Sequence, residues 1–312
     1  MLSLELLTAD GRVRSVARGT PLFDATAGGM GLTGVILTAT VRLQPVETAL
    51  MSVDTERASD LDDLMARLAA TDHRYRYSVA WIDLLARARR PAARCSPAAT
   101  TRPWRRCRSA PGAGPVLPHL PPPGRPALVP EGLLTRTTVG LFNELWYRKA
   151  PRARTGQLQR ISTFFHPLDG VPHWNRIYGR GGFVQYQFVV GYGQEDALRR
   201  IVRRISEHRC PSFLAVLKRF GDADPGWLSF PVPGWTLALD IPAGLPGLGA
   251  FLDELDEEVA AAGGRVYLAK DSRLRPELLA AMYPRLDDFR ALRAELDPRG
   301  VFVSDLSRRL AL

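Results

Sequence analysis

The sequence is poor in cysteine. Cys95, Cys107 and Cys210 are its only three, too few and too scattered for a disulfide framework, so a reducing compartment fits best. It has no run of eighteen or more apolar residues, which excludes a membrane-spanning helix. The opening MLSLELLTADGRV has neither the basic region nor the small-residue cleavage site of a secretory signal. A cytoplasmic protein, or one peripheral at the cell membrane, is expected. Metal-ligand spacing is missing as well. The five histidines are dispersed, with no Cys-x-x-Cys or His-x-x-x-His pair, and His166 and His173 read as solvated or core histidines. Without a G-x-S-x-G elbow, nothing supports a nucleophilic triad.

Acidic residues are missing from one place in particular. Between Arg87 and Arg125 there are nine arginines and no Asp or Glu. That segment carries almost all of the formal charge of +10, and the remainder is nearly neutral. The basicity therefore belongs to one stretch rather than to a folded nucleic-acid-binding face. Ala92 to Pro126 is crowded with proline and has no helical or strand period, so it reads as irregular. Three explanations stand side by side: an Arg-rich arm for nucleic acid, a genuine mobile loop, or GC-rich coding sequence translated in a shifted frame. Ordinary patterning resumes by Val129 to Leu134.

Elsewhere 46% hydrophobic and 24% charged residues suit a globular chain. LSLELLTA and RVRSV flank Asp10-Gly11, which predicts a hairpin with a two-residue turn. Gly29-Met30-Gly31-Leu32-Thr33-Gly34 spells G-x-G-x-x-G, but VILTATVRL follows with strand alternation. A dinucleotide fingerprint needs a helix there. A glycine turn bringing backbone close to a ligand is the better reading. Leu61 to Ala70 is a short amphipathic helix capped by Ser59 or Asp60. YRYSVAWIDLL reads as a strand, and the aromatic stretches GLFNELWYRKAP and ISTFFHPLDGVPHWNRIYG read as rich in loop signals. FVQYQFVVG, SFLAVLKRFG, GWTLALDIP and RVYLAK are strands, the last ending on Lys270. ALRRIVRRISEH and GLGAFLDELDEEVAAAGG are helices between them, and two more lie around RPELLAAMY and LDDFRALRAEL. The β-α-β-β-α-β run with short links points to an α+β fold.

Polar residues on apolar strands carry the chemistry. Gln185 and Gln187 share a strand face, Lys218 stands beside Leu214 and Val216, and Lys270 closes its strand. A buried polar group without partners costs about 2–7 kcal/mol. Either these residues line the solvated side of a half-exposed sheet, or they converge on a pocket for a polyhydroxyl, phosphorylated or otherwise anionic ligand.

AGGMGLTGVILTATVRLQP, FNELWYRKAP, FFHPLDGVPHWNRIYGRGGFVQYQFVV, LSFPVPGWTLALDIP, GGRVYLAKDSR, MYPRLDDF and DPRGVFVSDLSRRL together resemble the decaprenylphosphoryl-β-D-ribose 2′-oxidase family. These are FAD flavoproteins of the vanillyl-alcohol-oxidase type, related to the aldonolactone oxidases. The likeness covers nearly the whole chain except Arg87 to about Pro126. It implies residues 1–48 and 265–312 as parts of an FAD-binding domain, and 49–264 as a substrate domain with an antiparallel sheet flanked by helices. Family members begin further upstream, with a glycine-rich pyrophosphate loop, and tight FAD binding is expected to lean on that part. The implied reaction takes hydride from the 2′ carbon of a polyprenyl-phosphoryl ribose. A separate NADH-dependent reductase then acts on the 2′-keto sugar, for cell-wall arabinan. Lys270 matches the lysine near flavin and substrate hydroxyl. Gly31, Thr33, Ile36 and Tyr267 match flavin-contacting positions, and Gln185, Gln187, Lys218, Tyr147 and Trp81 match the substrate side. Many members carry cysteine where this chain has Ala238. Implied partners are the sugar lipid, the reductase and a membrane surface, not nucleic acid. Two other readings remain: a remnant that holds a sugar lipid without redox chemistry, and an Arg-rich nucleic-acid binder.

Overall fold

A computed structural model describes residues 1–85, 96–100, 135–166, 168, 174–212 and 214–312. In chain order the strands are β1 (Ser3–Leu7), β2 (Val13–Ala17), β3 (Val35–Thr40), β4 (Leu50–Glu56), β5 (Tyr77–Ser78), β6 (Ala80–Trp81), β7 (Ser96–Thr100), β8 (Ala153–Arg160), β9 (Phe183–Gly191), β10 (Ala215–Phe220), β11 (Gly234–Pro242) and β12 (Arg265–Val266). The helices are α1 (Pro21–Thr26), α2 (Leu61–Thr71), α3 (Arg136–Lys149), α4 (Ile161–Phe165), α5 (Glu195–Glu207), α6 (Leu248–Ala261), α7 (Pro276–Met282), α8 (Leu286–Leu296) and α9 (Asp305–Leu310). The described residues form three sheets, ordered β2-β1-β3, β12-β9-β11-β10-β6 and β5-β7-β4-β8, with all pairings antiparallel.

The five-stranded sheet holds the main core. β9-α5-β10-β11-α6-β12 is a split β-α-β arrangement, in which β11 is inserted between the two strands joined through α5. Tyr186, Phe188 and Val190 of β9 and Leu237 and Leu239 of β11 are buried on one face. They meet Leu198, Ile201, Val202 and Ile205 of α5 and Leu252, Leu255 and Val259 of α6. Those helical positions recur every three to four residues, as an amphipathic helix requires. Gly263, at φ +65°, lets the chain leave α6. A Cβ on Gly264 would lie 2.4 Å from the Val189 carbonyl oxygen, so only glycine lets β12 approach β9 here.

Several sequence expectations are corrected. The first hairpin spans Thr8 to Arg12 between its strands, longer than a two-residue turn, because Gly11 N–H donates back to the Thr8 carbonyl. YRYSVAWIDLL is not one strand. It changes sheet at Val79, so that β5 pairs with β7 and β6 with β10. GLFNELWYRKAP lies in a 14-residue helix, α3, begun by a reciprocal Thr135–Thr138 cap. Asp60, not Ser59, caps α2. Of the segment read as irregular, Ser96–Thr100 is a strand paired with β4. The rest of it from 86 to 134, with Cys95 and Cys107, lies outside the described residues, as does His173. Cys210 is buried and free. Among the described residues no helix is long and apolar enough to cross a membrane.

Candidate active site

The face of the five-stranded sheet opposite α5 and α6 is polar, and register decides who shares it. Gln185 pairs with Asp240, Gln187 with Ala238, Lys218 with Thr236, and Val216 with both Ala238 and Trp81. Because side chains alternate along a strand, all of these project to the same side. Gln187 Nε2 donates to Thr236 Oγ1 at 3.1 Å, and the Thr236 hydroxyl donates to the Phe188 carbonyl at 2.9 Å.

Lys270 reaches this face from a turn, not from a strand end as RVYLAK suggests. β12 is short because the chain turns just after Tyr267, whose N–H still bonds the Gln187 carbonyl on β9, while the outer edge of Val266 is taken by α7 and the residue after it. The Val266 carbonyl accepts from the Tyr283 hydroxyl at 2.6 Å, and its N–H donates to Met282 Sδ at 3.4 Å. Lys270 N–H then folds back to the Tyr267 carbonyl at 3.0 Å. Asp271 pins the turn. Its Oδ1 accepts from the backbone N–H groups of Arg273 and Leu274 at 2.9 and 2.8 Å, and its Oδ2 from Arg309 of α9 at 2.7 Å.

Electrostatics register the convergence. Burial lowers the Lys270 pKa, the Asp240 charge opposes that shift, and the Lys218 charge deepens it. Lys218 keeps solvent access on this face, yet the protein crowded around it lowers its pKa too. Asp240 is buried at 2% exposure, which raises its pKa against a hydrogen bond from Gln185 and the Lys270 charge. The Tyr178 hydroxyl donates to it at 3.4 Å. Lys270 therefore faces the buried Asp240 carboxylate and also feels the Lys218 charge, so positive charge gathers on this face. Only three of the 42 basic residues in the sequence are lysine, Lys149, Lys218 and Lys270, and two of them are here. Ammonium responds to burial by shifting its pKa, whereas guanidinium stays charged.

Of the flavin-side candidates, Tyr267 is bonded to this sheet. Tyr267 N–H donates to the Gln187 carbonyl at 2.9 Å, and its ring stacks on Phe230 with centroids 4.6 Å apart. The 226–230 loop then leads to the glycine turn, since Trp227 N–H donates to the Asp24 carbonyl at 2.9 Å. Gly31 has φ +74°, and no atom lies within 4 Å of where its Cβ would be, so its backbone is open to a ligand. The Thr33 hydroxyl is buried against that of Thr26 at 2.9 Å, which leaves only backbone to offer. Ile36 stands exposed on β3. Tyr147 lies on α3 with the Arg57 guanidinium 4.9 Å from its ring centroid. The structure thus gathers Lys270, Gln185, Gln187, Lys218, Tyr267 and Trp81. It ties Gly31 and Thr33 to them through the 226–230 loop and sets Tyr147 apart on α3. Sequence reasoning missed Asp240, Thr236 and Tyr178. An Asp inside the apolar strand GWTLALDIP was the available signal for the first.

Comparison with known proteins follows the same lines. The family described as ALO: D-arabinono-1,4-lactone oxidase matches residues 192–310, which begin just after β9 and include α5, β10, β11, α6 and the Lys270 turn. The chain is 41% identical to decaprenylphosphoryl-beta-D-ribose oxidase of Mycolicibacterium smegmatis over 320 residues, 99% of this chain and 68% of that protein. The chain belongs to this oxidase family. It is also 54% identical to an uncharacterized protein in the mprA 5′ region of Streptomyces coelicolor, over 100% of this chain and 86% of that one. Family membership makes it an FAD-linked oxidoreductase. The residues present fit the ring end of FAD. They offer surplus ammonium charge at Lys270, a stacked Tyr267–Phe230 pair and open glycine backbone at Gly31.

Proposed function

We propose that this oxidase converts the 2′-hydroxyl of a polyprenyl-phosphoryl ribose into a 2′-keto group, on the route to cell-wall arabinan. The 2′ C–H and O–H bonds break and a C=O bond forms, the hydroxyl proton leaving to solvent. FAD, when bound, supplies the two-electron acceptor for the hydride. The named substrate of the Mycolicibacterium relative supports the sugar lipid. The observation that carries the reading is the meeting of Lys218 and Lys270 over a face that also bears Gln185 and Gln187. Lys270 puts positive charge where negative charge grows during oxidation. Lys218 attracts the phosphate from the open side of the cleft. The two glutamines match sugar hydroxyls as donors and acceptors, and the buried Thr236 orients Gln187. Trp81 adds a flat wall for the sugar. Gly31, Thr33, Ile36 and Tyr267 hold the cofactor, while Tyr147, matched to the substrate side by resemblance, stands on α3 away from the lysines and glutamines. A separate NADH-dependent reductase consumes the keto sugar, and the protein works in the cytoplasm or against the membrane surface.

The test is direct. The purified chain, as isolated or after incubation with FAD, is expected to show flavin absorbance that bleaches anaerobically on adding a polyprenyl-phosphoryl ribose. Lys270→Met should keep the bound flavin while the bleaching rate falls by about a hundredfold or more. A colourless protein that FAD cannot reconstitute, yet that still binds the sugar lipid, overturns the oxidase reading in favour of a binding remnant.

A further inference from the structure

Helix α3 is built inside out. Its inward stripe is Val139 and Asn143, and Asn143 Nδ2 donates to Asp83 Oδ1 at 2.7 Å in a buried contact. Its outward face carries Leu141, Phe142, Leu145 and Trp146, which are 61%, 46%, 59% and 48% exposed. A surface helix ordinarily turns such residues to the core and its charges to water. Phe142 and Trp146 stack with centroids 6.0 Å apart, so the patch is continuous rather than scattered.

The charges around it have one sign. From Thr135 to His166 there are six cations (Arg136, Arg148, Lys149, Arg152, Arg154 and Arg160) and one acid, Glu144. Glu144 is paired with Arg148 at 2.8 Å. Lys149 lies 5.6 Å from the Trp146 ring centroid, and Arg148, Lys149, Arg152 and Arg154 are all exposed at the helix's C-terminal end. An apolar face with a tryptophan, edged by cations, has the composition of an interfacial helix that lies in the headgroup layer of an anionic bilayer.

We propose that α3 docks this protein on anionic membrane, with Leu141, Phe142, Leu145 and Trp146 inserted and Arg148, Lys149, Arg152 and Arg154 against lipid phosphates. Charge complementarity selects this occupant over a second copy of the chain, because two copies would bring like charges together. The proposal goes beyond the oxidation reaction, since docking needs neither flavin nor sugar.

The experiment is co-sedimentation of the full chain with vesicles. Wild type is expected to pellet with phosphatidylcholine and phosphatidylglycerol in equal parts, and to stay in solution with phosphatidylcholine alone. Leu145→Ser with Trp146→Ser should lower the affinity by about a hundredfold from lost apolar insertion. Arg152→Gln and Arg154→Gln should each lower it about fivefold, and added salt should act in the same direction. Leu37→Ser, at an exposed apolar position off the patch, should leave vesicle affinity as in wild type. Because every substituted side chain is exposed, matching thermal melts are expected. Quenching by brominated lipid gives a second reading, strong in wild type and reduced in Trp146→Phe. Absence of pelleting, α3 variants that pellet like wild type, or a dimer dissolved by Trp146→Ser without vesicle binding would each overturn the proposal. None of these outcomes bears on flavin reduction, so the oxidase reading is judged separately.

Discussion

On the five-stranded sheet, Phe188, Leu217 and Leu237 have no exposed surface, because α5 and α6 seal their face. On the three-stranded sheet only Leu4, Leu6, Val16 and Phe23 form a core, and every residue of β3 is exposed. Both sheets are antiparallel and both alternate in sequence, so strand chemistry does not separate them. What separates them is cover. The larger sheet has two amphipathic helices on one face and a polar cleft on the other. The smaller one ends at β3, an edge strand with Val35, Ile36 and Leu37 nearly half exposed. An apolar edge left in water marks a surface meant for something else, a cofactor or further protein. The rigid sheet thus fixes the geometry of the lysines and glutamines, while the open sheet offers Gly31 and Ile36 as a surface still to be covered.

The strongest way to break this comparison is to hollow the sealed side. Leu237→Ala, in the middle of β11, should cost about 2–5 kcal/mol in urea unfolding, the range for a buried leucine whose cavity cannot collapse. A loss below about 1 kcal/mol would mean that the helices do not seal this face. Next in size is Asp271, which extends the rigid region to the Lys270 turn. Its side chain is 4% exposed. Asp271→Ala removes two backbone hydrogen bonds and the Arg309 pair, and should cost about 2–3 kcal/mol. Asp271→Asn keeps an acceptor for the two backbone bonds and should recover more than half of that. Flavin binding is expected to weaken in the alanine variant before the fold is lost, since the turn carries both Tyr267 and Lys270.

A smaller effect tests the helical cover through pH. Asp256 of α6 accepts from the Tyr186 hydroxyl at 2.9 Å and pairs with Arg273, yet burial pushes its pKa up to about 6. A carboxyl raised above its unfolded value of 3.8 takes up a proton in the folded chain first. Its contribution to stability therefore grows as pH falls from about 6 towards 4, by up to about 1.4 kcal/mol per unit, and is lost again as pH rises through 6. Urea melts of wild type and Asp256→Asn at about pH 4.5 and about pH 7, the two sides of that window, should differ in slope by that one group. Parallel curves would place Asp256 in water.

The sealed side was largely legible in the sequence. β9, α5, β11 and α6 follow from long, regular periods, and alternation puts Gln185 and Gln187 on one strand face, but that Lys218 shares it needed the register through β11. What could not be read had tertiary causes. RVYLAK keeps alternating past Val266, and only the turn in which Lys270 N–H bonds the Tyr267 carbonyl shows why β12 stops. Helix α3 was hidden because its apolar residues face out and Asn143 faces in, the reverse of the pattern sought. Lys270 was singled out as an isolated cation and given its role by resemblance. Its meeting with Lys218 and Asp240 needed coordinates.

The smallest expected effect sharpens the contrast most. Leu37 sits in the middle of β3 and is 49% exposed, although its sequence context, VILTAT, reads as strongly as any core strand. If cover decides the difference, Leu37→Ser should change the unfolding free energy of this chain by no more than about 0.5 kcal/mol. FAD affinity is then the quantity to watch, because Leu37 adjoins Ile36 on the open surface. A variant of unchanged stability and weakened flavin binding locates the missing cover in the cofactor. A loss above about 2 kcal/mol would instead mean that β3 is already buried in solution, by another copy of the chain or by its own residues, and the two sheets would no longer differ in kind.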